Sequence, residues 1–369
     1  MNLFRCLLAG VLLAGSFPAA SFATDTIAPY HVGESGRLFH PDKARDWRGA
    51  KTQALLVRIW YPVDRSVTEQ PHDIGAPGHP IFEGHPVAAD APLSPGKARY
   101  PLLLMSHGTG GSADSLDWLG AALAAQGYIV AAVNHPGNTA LEPLTAEGFL
   151  LWWERATDVS EVLDGLLHDA VLGPHIDMQR VGAVGFSLGG YTVLELAGAR
   201  THRLAFEHFC VSPAADAICH PPEAQGLTHA DGFALAPSPQ TDASIAHSDD
   251  SYRDPRIKAV FAIAPALGEA FNASSFADVR IPIALLAGSA DTTVPLGTNA
   301  ERFARFMPNA KLTLLPGAGH YTFLDVCTPN VGDQPFFCKD GPGVDRTAIH
   351  AEAIAQVAAF FAKTLPTTN

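Results

Sequence analysis

The sequence predicts an α/β fold in which a mostly parallel central sheet is covered by helices on both faces. Two observations carry that prediction. First, several short runs between residues 101 and 315 are apolar throughout, as in PLLLMS (101–106), YIVAAVN (128–134) and IPIALLA (281–287). A strand with one wet face would alternate; a continuous apolar run of strand length marks a strand buried on both sides. Second, these runs alternate with helix-like segments, the order that builds parallel sheets through right-handed crossovers. Such crossovers place every strand's carboxyl end on one edge, where ligands of open sheets bind. With 369 residues and 47% hydrophobic content, one enlarged domain can bury a single large core, so two domains are not required.

The chain opens on residues 1–23, which read as a secretory signal. Arg5 gives a positive start, residues 6–13 an apolar core, and Ser21-Phe22-Ala23 the small residues expected before a cut. Leu12-Leu13-Ala14-Gly15 is followed by Ser16 rather than cysteine, which argues against a lipid anchor. No later stretch is long and apolar enough to span a bilayer. The expectation is an exported protein, periplasmic or secreted, with residues 24–369 as one mature domain. A formal net charge of −13 without any lysine or arginine run makes nucleic acid and anionic membrane surfaces poor partners.

Residues 55–61 (LLVRIWY) are β-branched and aromatic and stop at Pro62, an early strand expected to run antiparallel to one within 30–39. Residues 71–100 are rich in proline, glycine and histidine and read as a solvated loop. His72, His79 and His85 have no carboxylate at a ligand-like helical offset, so no metal site is expected there. After the strand at 101–106 comes the turn His107-Gly108-Thr109-Gly110-Gly111-Ser112, then a helix over 114–126 closed by Gly127. A strand at 128–134 ends at His135-Pro136-Gly137. Residues 151–167 carry Trp152, Val159, Val162, Leu163 and Leu166 at helical spacing. Residues 180–197 (RVGAVGFSLGGYTVLELA) read as strand, turn and helix.

Residues 199–256 break this rhythm, with prolines, scattered histidines and two cysteines, and are expected to form a cap over the crevice. Strands resume at 257–264, 281–287 and 311–315, with helices over 297–306 and 348–362. Residues 327–342 form a second, smaller excursion. Cys6 leaves with the signal, and Cys210, Cys219, Cys327 and Cys338 remain. Four cysteines allow three pairings; local closure, Cys210 with Cys219 and Cys327 with Cys338, is the simplest, and an oxidising compartment favours bridges. A zinc site is the competing reading, unsupported by any C-x-x-C spacing.

Three strand ends hold the groups that acyl transfer needs. Gly185-Phe186-Ser187-Leu188-Gly189 places Ser187 at a sharp turn between strand and helix, where flanking glycines permit close approach. A serine hydroxyl is a weak nucleophile and needs a base, which His320 can supply from the turn after residues 311–315. The imidazole needs a carboxylate to fix its tautomer, and Asp291 follows the preceding strand. Separately, Asp291 could be a helix cap and His320 an ordinary turn residue; their shared placement in the order Ser187, Asp291, His320 favours a triad. The oxyanion that forms would be held by the backbone amides of Leu188 and Thr109. A phosphate cradle is the rival reading of 107–112, but the turn lacks both the Lys-Ser/Thr of a P-loop and the G-x-G-x-x-G of a dinucleotide site.

The segments IWYPV (59–63), YPLLLMSHGTGG (100–111), VGFSLGG (184–190), AGSADTTVP (287–295) and GAGHYTFL (317–324) together resemble the α/β-hydrolase superfamily. Within it the chain is similar to bacterial dienelactone-hydrolase-like proteins related to platelet-activating-factor acetylhydrolase. That resemblance maps Ser187, Asp291 and His320 onto the triad and Thr109 and Leu188 onto the oxyanion donors. It implies a serine esterase that forms an acyl-enzyme on short-chain or small esters, without metal or organic cofactor. A lipid hydrolase of the phospholipase A2 or acetylhydrolase type, a thioesterase, a peptidase and a silent binding protein are the alternatives. Dienelactone hydrolases proper resemble compact cytosolic enzymes with a cysteine nucleophile, and a serine in an exported chain departs from that. Phe149, Trp152, Trp153 and the 199–256 excursion are the candidates for shaping the acyl pocket, although one of two adjacent tryptophans must face the core.

Overall fold

A computed structural model describes residues 28–41, 53–224, 227, 235, 237–329, 331 and 335–366. The expected signal, residues 1–23, lies outside the described residues. Among the described residues, nine strands numbered in chain order form one sheet in the order β11-β10-β9-β8-β6-β7-β2-β1-β5. They are β1 (His31–Phe39), β2 (Leu55–Val63), β5 (Ala88–Ala89), β6 (Tyr100–Ser106), β7 (Ile129–Val133), β8 (Ile176–Phe186), β9 (Ala259–Ile263), β10 (Ile283–Gly288) and β11 (Lys311–Leu315). Strands β6 to β11 pair in parallel throughout. The early strand β2 is antiparallel both to β1, with His31 opposite Val63, and to β7.

The continuous apolar runs exist because each strand feeds two cores. Along β6, Leu102 and Leu104 enter one cluster with Trp153, Leu163 and Tyr191, while Leu103 and Met105 enter the other with Trp60, Trp118 and Phe361. Successive side chains point to opposite faces of a strand, so both parities must be apolar. The first cluster lies under α3 (Glu154–His168), α4 (Leu188–Leu196) and α7 (Ala300–Phe306). The second lies under α1 (Asp117–Ala125) and α8 (Arg346–Thr364). Asp345 caps α8 by accepting the Ala348 amide at 3.1 Å, which starts the helix before the expected residue 348.

Two expectations need correction. The helix expected at 151–167 starts only at Glu154, after a separate short helix α2 (Ala146–Leu150), so Trp152 and Trp153 sit in the connecting turn. The stretch 71–100 is not a bare solvated loop. It contains a hairpin, β3 (Asp73–Ala76) and β4 (His79–Glu83), docked on the second excursion through Glu83 N–H to the Val326 carbonyl and Thr328 N–H to the Ile81 carbonyl (2.8 and 2.9 Å). Its partner lies some 250 residues away, so no local pattern could announce it.

Both local disulfides form: Cys210 with Cys219 and Cys327 with Cys338, at Cα separations of 5.4 and 5.8 Å. The first holds α5 (Arg203–Cys210) to a 3-10 turn at Ala217–Cys219; α6 (Pro239–Ala246) follows later in the same excursion. Among the described residues, no helix is long and apolar enough to cross a membrane.

Candidate active site

The chain leaves β6 for β7 on one side and returns to β8 on the other, so the crevice at the carboxyl ends of β6 and β8 is the topological switch point of the sheet. The turn 107–112 leaves β6 there, and Ser187 directly follows β8. Ser187 has φ 57° and ψ −119°, a conformation costly for any residue with a Cβ. It is held by its own amide on the Ile263 carbonyl (2.9 Å) and by its carbonyl, which accepts from Tyr191 and Ala266 amides. The flanking glycines are dictated by contact. A Cβ on Gly185 would fall within the Gly189 carbonyl, and one on Gly189 within the Ser106 carbonyl. Neither neighbour is a flexible side chain that could turn aside. Gly189→Ala is therefore expected to cost at least ~2–3 kcal/mol of stability together with most of the activity; a wild-type thermal melt for that variant would contradict this account of the elbow.

The Ser187 hydroxyl lies 2.9 Å from His320 Nε2, and His320 Nδ1 lies 2.7 Å from Asp291 Oδ2. Asp291 Oδ1 accepts the amides of Thr293 and Val294 at 3.0 and 2.8 Å, which fixes the carboxylate plane. His320 opens a 3-10 turn after β11 and packs at 4.8 Å against the Phe186 ring, while Ser187, Asp291 and His320 are all buried. An imidazole held this way can take a proton from the hydroxyl on one nitrogen while the carboxylate stabilises the charge gained.

Thr109 and Leu188 both line the cavity at Ser187. In the turn after β6, the Gly110 amide is committed to Asn138 Oδ1 (2.8 Å) and the Gly111 amide to the Gly108 carbonyl (3.3 Å). Among the described residues no such acceptor meets the Thr109 amide. Leu188 opens α4, where first-turn amides have no intrahelical acceptor. The two expected donors therefore border the serine with free backbone geometry for an anion.

The rest of the cavity is apolar, with Phe149, Trp152, Phe206, Ile218, Pro221, Leu267 and Val294, plus Glu223 and Thr293. Phe206, Ile218, Pro221 and Glu223 come from the 199–256 excursion, so part of it borders the cavity at Ser187. The adjacent tryptophans divide their roles: Trp152 borders the cavity, and Trp153 is fully buried with its Nε1–H donated to Ser244 Oγ at 3.0 Å. The cavity has a volume of about 30 Å³, room for one or two waters.

Sequence reasoning missed a second polar set directly behind the 107–112 turn. Ser106 Oγ lies 2.9 Å from His135 Nε2, and His135 Nδ1 lies 2.9 Å from Asp158 Oδ2. Arg155 donates to Ser106 Oγ (3.3 Å) and to the His107 carbonyl, and through Nε to Thr192 Oγ1 (3.3 Å). All of these side chains are sealed from solvent, so this set meets no substrate; it ties the end of β6 to α3 and α4. Burial, reinforced by Arg155 and His135, holds the His107 imidazole well below its usual pKa and therefore neutral. His135 at a strand end was the visible signal, but Arg155 and Asp158 sit among residues that read as an ordinary helix.

Helix α4 carries one more buried acid. Glu195 Oε1 accepts from the Tyr191 and Thr201 hydroxyls, both at 2.6 Å, yet burial pushes its pKa up to about 8. Folded chains keep it neutral at pH 7, whereas unfolded chains ionise it near 4.5. With the folded value raised, the Glu195 contribution to stability is fully present below about pH 4.5 and is lost as pH rises towards 8, by up to ~4 kcal/mol. The melting temperature of wild type should thus fall more between pH 5 and pH 8 than that of Glu195→Gln; parallel curves would show that Glu195 ionises freely in the fold.

Residues 102–328 match the sequence pattern of the Alpha/beta hydrolase family. The chain belongs to that family. Over 88 residues this alpha/beta hydrolase is 32% identical to Lipase 1 of Moraxella sp. (strain TA144), a match covering 24% of each chain. The matched part thus spans about a quarter of that relative's length. The fold is similar to that of a ferulic acid esterase from Streptomyces cinnamoneus, with a TM-score of 0.58, 20% identity, and coverage of 93% of this chain and 92% of that one.

Proposed function

We propose that this alpha/beta hydrolase is a serine-dependent carboxylic ester hydrolase acting on small or short-chain acyl groups. The observation that carries the reading is the hydrogen-bonded chain from the Ser187 hydroxyl through His320 to Asp291 at the switch point of the sheet. In the proposed mechanism Ser187 Oγ attacks the ester carbonyl as His320 Nε2 takes its proton. The Leu188 and Thr109 amides hold the oxyanion, and His320 returns the proton to the leaving alcohol. Water, deprotonated by the same imidazole, then releases the acid from the acyl-enzyme. No metal or organic cofactor enters these steps. Arg155 and the Ser106, His135, Asp158 set act as positioning residues that hold the turn bearing Thr109.

The narrow, aromatic-walled cavity supports a small acyl group over a long one. Residues 199–256, joined by the Cys210 to Cys219 bridge, are read as a cap on a single domain comprising residues 24–369. Two disulfides agree with an exported, periplasmic or secreted chain. A relationship to dienelactone-hydrolase-like or platelet-activating-factor acetylhydrolase-like proteins is part of this proposal, and the names of the lipase and ferulic acid esterase relatives agree with ester chemistry. Hydrolysis of a nitrophenyl ester series, with a phospholipid and a peptide amide alongside, tests the reading. Expected is kcat/KM highest for acetate to butyrate and lower by about tenfold or more at octanoate. Preference for octanoate or for phospholipid would overturn the small-acyl assignment, and turnover of the peptide alone would overturn the ester assignment.

A further inference from the structure

Far from Ser187 in sequence, three side chains from separate elements converge without satisfying one another. Glu34 on β1 is 6% exposed; its Oε1 accepts from Arg58 Nη1 at 2.9 Å, but its buried Oε2 has no hydrogen-bond partner among the described residues. That oxygen faces His72 Nε2 at 3.8 Å, and this nitrogen is likewise buried and without a partner. The separation is too long for a hydrogen bond. Asp117, fully buried at the start of α1, completes the group, and one ligand atom from each of the three lies within 4.8 Å of the others. Among the described residues they form the one such cluster of histidine, cysteine and carboxylate groups.

We propose that Glu34, His72 and Asp117 bind one divalent transition-metal ion, Zn²⁺ by the nature of their donors. One imidazole nitrogen with two carboxylates suits Zn²⁺, whereas Ca²⁺ takes oxygen donors. At bond lengths of about 2.0–2.1 Å, donors on a tetrahedral ion stand roughly 3.3 Å apart, so the cluster needs to close by up to about 1.5 Å. Partners behind the ligands already fix their orientation. Asp117 Oδ2 is held by the His85 amide and lies 3.0 Å from His85 Nδ1, Asp117 Oδ1 is held by Trp60 Nε1–H, and Glu34 Oε1 by Arg58.

Charge balance favours a cation as well. Asp114 stands beside this group, so three carboxylates, Glu34, Asp114 and Asp117, gather round Arg58, which pairs with Glu34 and Asp114 (2.9 and 2.6 Å). An ion here would tie β1 and the entry to the β3–β4 hairpin to α1, the helix that follows the 107–112 turn. The site is independent of the proposed esterase chemistry and would stand if that reading failed.

The full chain, stripped with EDTA and dialysed, is titrated with Zn²⁺, and with Co²⁺ as a spectroscopic probe, reading bound metal per chain and the melting temperature. Expected are one ion per chain and a melting temperature raised by roughly 4 °C at ~100-fold excess over Kd. His72→Ala and Glu34→Gln should weaken binding by at least about tenfold. His247→Ala, which alters the exposed His247 and Asp250 pair, should bind as wild type. No bound ion in wild type, or unchanged binding in a folded His72→Ala, would overturn the site, as would loss of the ion in His247→Ala alone. Should both site variants fail to fold, the Co²⁺ spectrum of wild type decides: ligand-field bands of a low-symmetry imidazole and carboxylate site support the proposal, and the spectrum of the hexaaqua ion overturns it.

Discussion

Ser187→Ala is expected to lower kcat on nitrophenyl acetate by about 10⁴- to 10⁶-fold while leaving the melting temperature close to wild type. The size follows from the role. In the proposed mechanism no acyl-enzyme forms without Oγ, and what remains is the binding and oxyanion contribution of the site. The small effect on stability follows from the surroundings. The strained φ of 57° is imposed by backbone hydrogen bonds to Ile263, Tyr191 and Ala266, all of which alanine keeps, and Oγ itself bonds to His320 at the edge of the cavity. Activity within tenfold of wild type would remove Ser187 from the mechanism.

Asp291→Asn should be nearly as damaging, with a loss of about 10⁴-fold in kcat, and for a different reason. Asp291 Oδ1 accepts two backbone amides, from Thr293 and Val294, and Oδ2 faces His320 Nδ1. An asparagine must keep its carbonyl oxygen towards the two amides, because turning its NH₂ group towards them would set donor against donor. The NH₂ then faces Nδ1 and selects the tautomer that carries its proton on Nε2. That proton points at Ser187, and the imidazole can no longer act as its base. The variant should fold and bind ester with little change in KM, so kcat carries the loss. A variant retaining a tenth of wild-type kcat would show that the carboxylate does not set the tautomer.

Much of this site was legible because its chemistry is bound to local backbone form. Gly185, Ser187 and Gly189 lie close in sequence because one tight turn brings strand, serine and helix together. Asp291 and His320 each follow an apolar run, and parallel strands send all such ends to one edge. Both disulfides close across short sequence separations, 9 and 11 residues, so the simplest pairing was also the one formed. What escaped notice joins distant segments through side chains alone. Ser106, His135 and Asp158 belong to a strand, a loop and a helix whose local patterns say only strand, loop and helix. The β3–β4 hairpin takes its support from residues 326 and 328. His72 found no carboxylate at helical spacing because its neighbours, Glu34 and Asp117, reach it through the tertiary fold.

The central claim is that Ser187 is an activated nucleophile, and covalent capture tests it most directly. The protein is incubated with an alkyl fluorophosphonate, which phosphonylates serine only where a base has activated the hydroxyl, and is then digested and mapped by mass spectrometry. The account predicts one adduct per chain, on Ser187, with its rate of formation reduced by orders of magnitude in His320→Ala. An adduct confined to another residue, or none after prolonged incubation with folded protein, would contradict it.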